Sequence, residues 1–238
     1  DELAKRVIDP YIVMTIVLII MGVGIKLSPL PKVEMEEETD GNEAGFVKKK
    51  NIFGFPHLVF GVIALFFYVG AEVIAGDTII RYGLSLDIPL EKAKSFTSYT
   101  MIFMVVGYIL GIVLIPKVIS QRTALLGSAI LGLLFSLGAI FTDGITSVIF
   151  IASLGLANAL VWPTIWPLAL HKLGKFINTG SALLIMAISG GALLPLAWGK
   201  LSDIYSSQLA YWVLIPLYLF ILFYALKGPK IYNWKKLP

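Results

Sequence analysis

Residues 58–82 read LVFGVIALFFYVGAEVIAGDTIIRY, an apolar run whose only charges are Glu72, Asp77 and Arg81. As a helix, at about 1.5 Å per residue, it is long enough to cross a hydrocarbon core about 30 Å thick. Membrane strands alternate apolar and polar positions over about 10 residues, and this run does not. The pattern repeats along the chain, at 11–27 and then at 98–118, 123–141, 145–170, 178–198 and 209–227. The reading is an all-α membrane protein. Composition agrees: 58% of the 238 residues are hydrophobic and 14% charged, with a mean hydropathy of +0.86. Soluble domains run at about 45–50% apolar and about 25% charged. A soluble globular domain, a nucleic-acid module and a disordered tail are therefore excluded. With no cysteine, disulfides, thiolate metal sites and thiol nucleophiles are excluded too.

Three segments follow from the spacing of these runs. Residues 1–31 hold one apolar helix, stopped by Pro29 and Pro31. Residues 32–56 are polar, with the acids Glu34, Glu36, Glu37, Glu38, Asp40 and Glu43 before Lys48-Lys49-Lys50, and read as a linker. Residues 57–238 hold six runs with short joints. Placing the linker on the cytoplasmic side puts thirteen of the 19 Lys and Arg residues there and six on the other. The positive-inside bias then sets both linker and C-terminus in the cytoplasm. One helix, a linker and six helices fit a twelve-helix transporter entered just before its sixth span. The start at Asp1, with no initiator Met or signal peptide, reads as a fragment.

Glu72 is the sharpest chemical signal, because it lies near mid-membrane depth. A charge there costs about 2.5–3.5 kcal/mol on insertion scales, so it faces a bundle interior or a wet cavity. Tyr68, Glu72 and Gly76 share one helical face. A carboxylate accepts paired hydrogen bonds from adjacent hydroxyls of a polar solute, an aromatic one turn away can stack on a ring, and the same carboxyl can exchange a proton. The alternative is a structural carboxyl bonded to a neighbouring helix. Asp77 sits about 140° further round the helix. It is a coupling candidate, set against the simpler reading of an ion pair with Arg81 at i+4.

Asn158, Trp162 and Trp166 form a second stripe at i, i+4, i+8, with Pro163 and Pro167 expected to kink the helix. Asn158 supplies both donor and acceptor, and the tryptophans offer flat faces to a bound solute. The alternative for a tryptophan is an interfacial anchor, which suits Trp198, Trp212 and Trp234. Gly107 with Gly111, and Ser189-Gly190-Gly191-Ala192 with Pro195, read as packing devices or a mid-helix bend. His57 and His171 read as interface histidines, with no acid or histidine at ligand spacing. No His-Glu-x-x-His, Gly-x-Ser-x-Gly or Walker A pattern occurs, so no enzyme is expected.

The segments Phe67-Tyr68-Val69-Gly70-Ala71-Glu72, Asn158-Ala-Leu-Val-Trp162-Pro163-Thr164-Ile-Trp166-Pro167, Gly190-Gly191-Ala192-Leu-Leu-Pro195 and Gly199-Lys-Leu-Ser202-Asp203 together resemble the fucose:proton symporter family of the major facilitator superfamily. The nearest branch is the bacterial glucose/galactose transporters. This resemblance implies a C-terminal six-helix bundle preceded by one extra transmembrane helix, completed by an amino-terminal six-helix half. It implies a hexose substrate such as glucose, galactose or fucose, symport with a proton or sodium ion, and alternating access in a bacterial inner membrane. Cofactor, metal and nucleic acid are not implied. The position of Trp162 lines the family's cavity, whereas the main proton-carrying carboxylates of the fucose transporters lie in the other half. Glu72 would then bind substrate or assist coupling. The sequence departs from the family at Asp77, where a small or hydroxyl residue is usual, and at Tyr108, where an arginine is frequent. A non-transporting sensor or structural subunit on the same scaffold is the competing reading.

Overall fold

The computed structural model describes residues 2–27, 51–115, 117–232 and 234, in two units, Asp1–Asn42 and Glu43–Pro238. In the first, the described residues form one helix, α1 (Glu2–Leu27), whose apolar part is Pro10–Gly24. The linker expected over 32–56 lies outside the described residues as far as residue 50. Its last part is a 3-10 turn, Ile52–Gly54, leading into the next helix.

The second unit is all-helical among the described residues. It holds α2 (Pro56–Ser85), α3 (Leu90–Ala93), α4 (Phe96–Leu114), α5 (Gln121–Phe141), α6 (Gly144–Asn158), α7 (Val161–Leu170), α8 (Ile177–Met186), α9 (Gly190–Ile204) and α10 (Leu214–Leu226). These pieces make six segments long and apolar enough to cross a membrane: 56–85, 90–114, 121–141, 144–170, 174–204 and 209–230. They coincide with the six apolar runs from residue 57 onward.

Local chemistry explains the boundaries. Pro56 opens α2 where a missing N–H costs nothing. The Ser120 hydroxyl caps α5 by accepting from the Thr123 N–H at 3.1 Å. Gly144, at φ +60°, makes the tight turn between α5 and α6. The crossing 144–170 is broken at Ala159 and Leu160, because Pro163 has no N–H for the Ala159 carbonyl. The exposed Leu160 carbonyl is taken by the Thr164 hydroxyl at 2.5 Å and its N–H at 3.2 Å. Pro167 is carried inside α7 without a second break. The crossing 174–204 bends through a 3-10 turn at Ala187–Ser189, where the Ser189 hydroxyl bonds the Met186 carbonyl. The segment read as a packing device or a mid-helix bend thus carries a 3-10 interruption.

Helix α2 is the hub, packed against α4, α6, α7, α9 and α10. Lipid tails are as apolar as leucine, so burial alone does not drive such packing; close backbone approach does. A Cβ on Gly190 would collide with the Phe66 carbonyl of α2, and one on Gly155 with the Thr100 carbonyl of α4. Gly107 and Gly111 lie against Ala159 and Leu160, which seats α4 on the break between α6 and α7. The small residues read as packing devices are used as such.

Contacts at the two ends amend several sequence expectations. Arg81 pairs with Asp203 of α9 at 2.5 Å rather than with Asp77, because α9 runs alongside α2 and brings a carboxylate to its end. Asp77 is exposed. Trp198 is buried beneath Arg81 and beside Tyr211, not an interfacial anchor, whereas Trp212 and Trp234 are exposed. His57 is buried, its Nε2 2.8 Å from the His171 carbonyl and its ring against Tyr232. The Arg122 guanidinium donates to the carbonyls of Ala225 and Leu226, and the His57 N–H to the Ile231 carbonyl. The starts of α2 and α5 therefore share one end of the bundle with the ends of α7 and α10, as alternating crossings require.

Candidate functional site

Glu72 lies midway along α2 and is half-buried. One turn earlier, Tyr68 is fully buried and its hydroxyl interacts with the Glu72 carboxylate. Two further hydroxyls come within electrostatic reach of that carboxylate, Tyr108 from α4 and Tyr218 from α10. Among the described residues no lysine, arginine or histidine forms an ion pair with it. A carboxyl oxygen pair in contact with one hydroxyl, and with no ion-pair partner among the described residues, is suited to accepting hydrogen bonds from a polar solute, or to taking a proton.

The stripe on α6 and α7 meets this face of α2 at Tyr68. The Tyr68 ring packs edge-on to Trp162, with centroids 6.4 Å apart. Trp162 stacks on Trp166 at 5.7 Å and 13°. Both tryptophans remain half-buried, so part of each indole surface is open. Asn158, the last residue of α6, is fully buried and accepts at Oδ1 from the Tyr218 hydroxyl at 2.8 Å. Its Nδ2 has no partner among the described residues. Five residues singled out in the sequence, Tyr68, Glu72, Asn158, Trp162 and Trp166, are therefore drawn into one neighbourhood. Asp77 is not among them.

Sequence reasoning missed Tyr218 and noted Tyr108 only as a departure from a family pattern. Depth was the available signal. Interfacial tyrosines sit near span ends, whereas Tyr218 lies within the apolar crossing 209–230 and Tyr108 within 90–114. Polar hydroxyls at such positions need partners inside the bundle.

The backbone path decides what this arrangement belongs to. Of the solved structures, the Escherichia coli fucose:proton symporter matches with a TM-score of 0.78 at 21% identity, covering 92% of this chain and 54% of that one. The fold is the C-terminal half of a major facilitator. A Brucella abortus glucose/galactose transporter is 30% identical over 234 residues, covering 95% of this chain and 55% of the relative. A Haemophilus influenzae L-fucose-proton symporter is 30% identical over 195 residues, covering 82% and 45%. No family model matches the chain. The chain is similar in sequence to these sugar transporters, and it spans about half the length of the curated relatives it matches. It is a multi-pass membrane protein, and its relatives are transporters rather than enzymes.

Proposed function

We propose that this chain supplies the C-terminal half of a secondary active transporter that carries a hexose such as glucose, galactose or fucose. Transport is by symport with a cation, proton or sodium, and by alternating access. The observation that carries this reading is Glu72: a half-buried carboxylate at mid-span with no ion-pair partner among the described residues, in contact with the Tyr68 hydroxyl, whose ring packs against Trp162 of the stacked Trp162–Trp166 pair. Sugars are bound by this combination, since hydroxyls bond the carboxylate while the less polar ring face lies on indole. Glu72 binds substrate and is the first candidate for coupling. Asp77, exposed on another face of α2, is the second coupling candidate.

The cavity is closed by an amino-terminal six-helix half. The crossings 90–114 and 174–204 are the least buried of the six and carry large exposed side chains, among them Val105, Ile109, Leu193 and Leu196. These two faces are the seat for that half, and rocking of the halves about the mid-membrane site alternates access. In this arrangement 1–31 is the last helix of the amino-terminal half, 32–56 the cytoplasmic linker and 57–238 the C-terminal half. The protein resides in the bacterial inner membrane with its C-terminus in the cytoplasm.

Counterflow of labelled sugars into proteoliposomes holding the full-length protein, with and without sodium, tests the reading. Saturable exchange of a hexose is expected. A protein that reconstitutes correctly yet exchanges no sugar under either condition would make the scaffold a sensor or structural subunit instead.

A further inference from the structure

The established likeness accounts for a carboxylate and aromatic faces, but not for the buried contact between α10 and α6. We propose that Tyr218 is a positioning residue of the sugar site: its hydroxyl fixes the Asn158 amide so that Nδ2 is presented as hydrogen-bond donor to a sugar hydroxyl. The inference rests on the sugar-site reading above.

An asparagine amide has an acceptor end and a donor end, and rotation by half a turn exchanges them. The Tyr218 hydroxyl donates to Oδ1 at 2.8 Å, which holds the acceptor end toward α10. Nδ2 is then the only polar atom of that side chain left to recruit, and it is buried without a partner among the described residues. A buried amide donor left unpaired costs about 1–3 kcal/mol, so its retention calls for a partner that arrives. Tyr218 itself cannot swing away. A Cβ on Gly132 of α5 would overlap its ring, so the ring is clamped against the bare backbone.

Tyr218 also connects the two halves of the site, because its hydroxyl lies within electrostatic reach of Glu72. Tyr218 thus holds the Asn158 amide directly and shares its surroundings with an acceptor, Glu72. A sugar carries hydroxyls that can serve both roles, one giving its proton to the carboxylate and another accepting from the amide.

The test is a mutant cycle in the full-length protein, read as half-saturation for the hexose it exchanges best. Tyr218→Phe is expected to raise half-saturation about fivefold to tenfold, the size of one neutral hydrogen bond, with the maximal rate within about twofold. Asn158→Ala is expected to lose at least as much, and the double variant no more than Asn158→Ala alone. Across monodeoxy sugars, one analogue, lacking the hydroxyl that meets Nδ2, is expected to bind Tyr218→Phe and the parent equally. Effects that multiply in the double variant, or no insensitive analogue, would overturn the proposal. Gly132→Ala keeps the hydroxyl but displaces the ring and is expected to reproduce the loss. Unaltered affinity in that variant overturns the proposal even where Tyr218→Phe fails to reach the membrane. Glu72→Gln and Trp162→Ala run alongside: if they leave affinity untouched, the sugar-site reading itself fails. If they weaken binding and Tyr218→Phe does not, only the positioning role is lost.

Discussion

The middle of the bundle and its end near Arg81 handle buried polarity in opposite ways. At the end, most polar groups are spent on one another, although the buried Trp198 indole N–H has no partner among the described residues. The Tyr82 hydroxyl donates to Ser147, which donates to the Ala139 carbonyl, and the Thr78 hydroxyl meets that of Tyr211. The Gln208 amide reaches the carbonyls of Ala139, Ile140 and Thr142, and Arg81 pairs with Asp203. In the middle, among the described residues, Glu72 meets the Tyr68 hydroxyl but forms no ion pair, and Asn158 keeps one end of its amide unpaired. Satisfied polarity holds helices in register; unsatisfied polarity at membrane depth is costly and persists where a solute uses it.

The sharpest way to break this contrast is Glu72→Gln in the full-length protein. Sugar accumulation is expected to fall about a hundredfold with membrane abundance preserved, as loss of hydrogen bonds to a charged acceptor requires. Uptake equal to the parent at every pH would assign Glu72 to the structural class. Next in size is Trp162→Ala, expected to raise half-saturation about tenfold by removing an indole face. Unchanged affinity would take Trp162 out of the site.

The satisfied end should answer in stability rather than affinity. Tyr82→Phe removes a buried donor to Ser147 and is expected to cost about 1 kcal/mol, read as a lower unfolding midpoint of the solubilised protein. Half-saturation should stay within about twofold, and a larger shift in affinity would blur the two classes. Smallest of all is Asp203→Asn. Both partners of the Arg81 pair are largely exposed, so the change is expected to stay below about 1 kcal/mol and to shrink as salt is added. A loss several times larger would make that pair a genuine clamp between α2 and α9.

Much of this was open to reading before any coordinates. Six crossings, their joints and the face shared by Tyr68 and Glu72 follow from periodicity and length. The interruption near Pro163 follows from a missing N–H, although it falls at Ala159–Leu160 and Pro167 causes none. Partner choice was another matter. Arg81 looked like the partner of Asp77 because both lie on one helix at i+4 spacing, and α9 supplied Asp203 instead. Trp198 looked interfacial from its place near a span end, yet packing against α2 and Tyr211 buries it.

The chain's own order of residues determined what each crossing is, since hydrogen bonding within a helix and transfer of side chains into lipid depend on nearest neighbours along the backbone. Which crossings meet, and hence that Tyr218 reaches Asn158 and Tyr68 packs on Trp162, was decided only in three dimensions. Those contacts depend on where bare glycine backbone lets two helices close to touching distance, and pairing across the bundle leaves no period in the sequence.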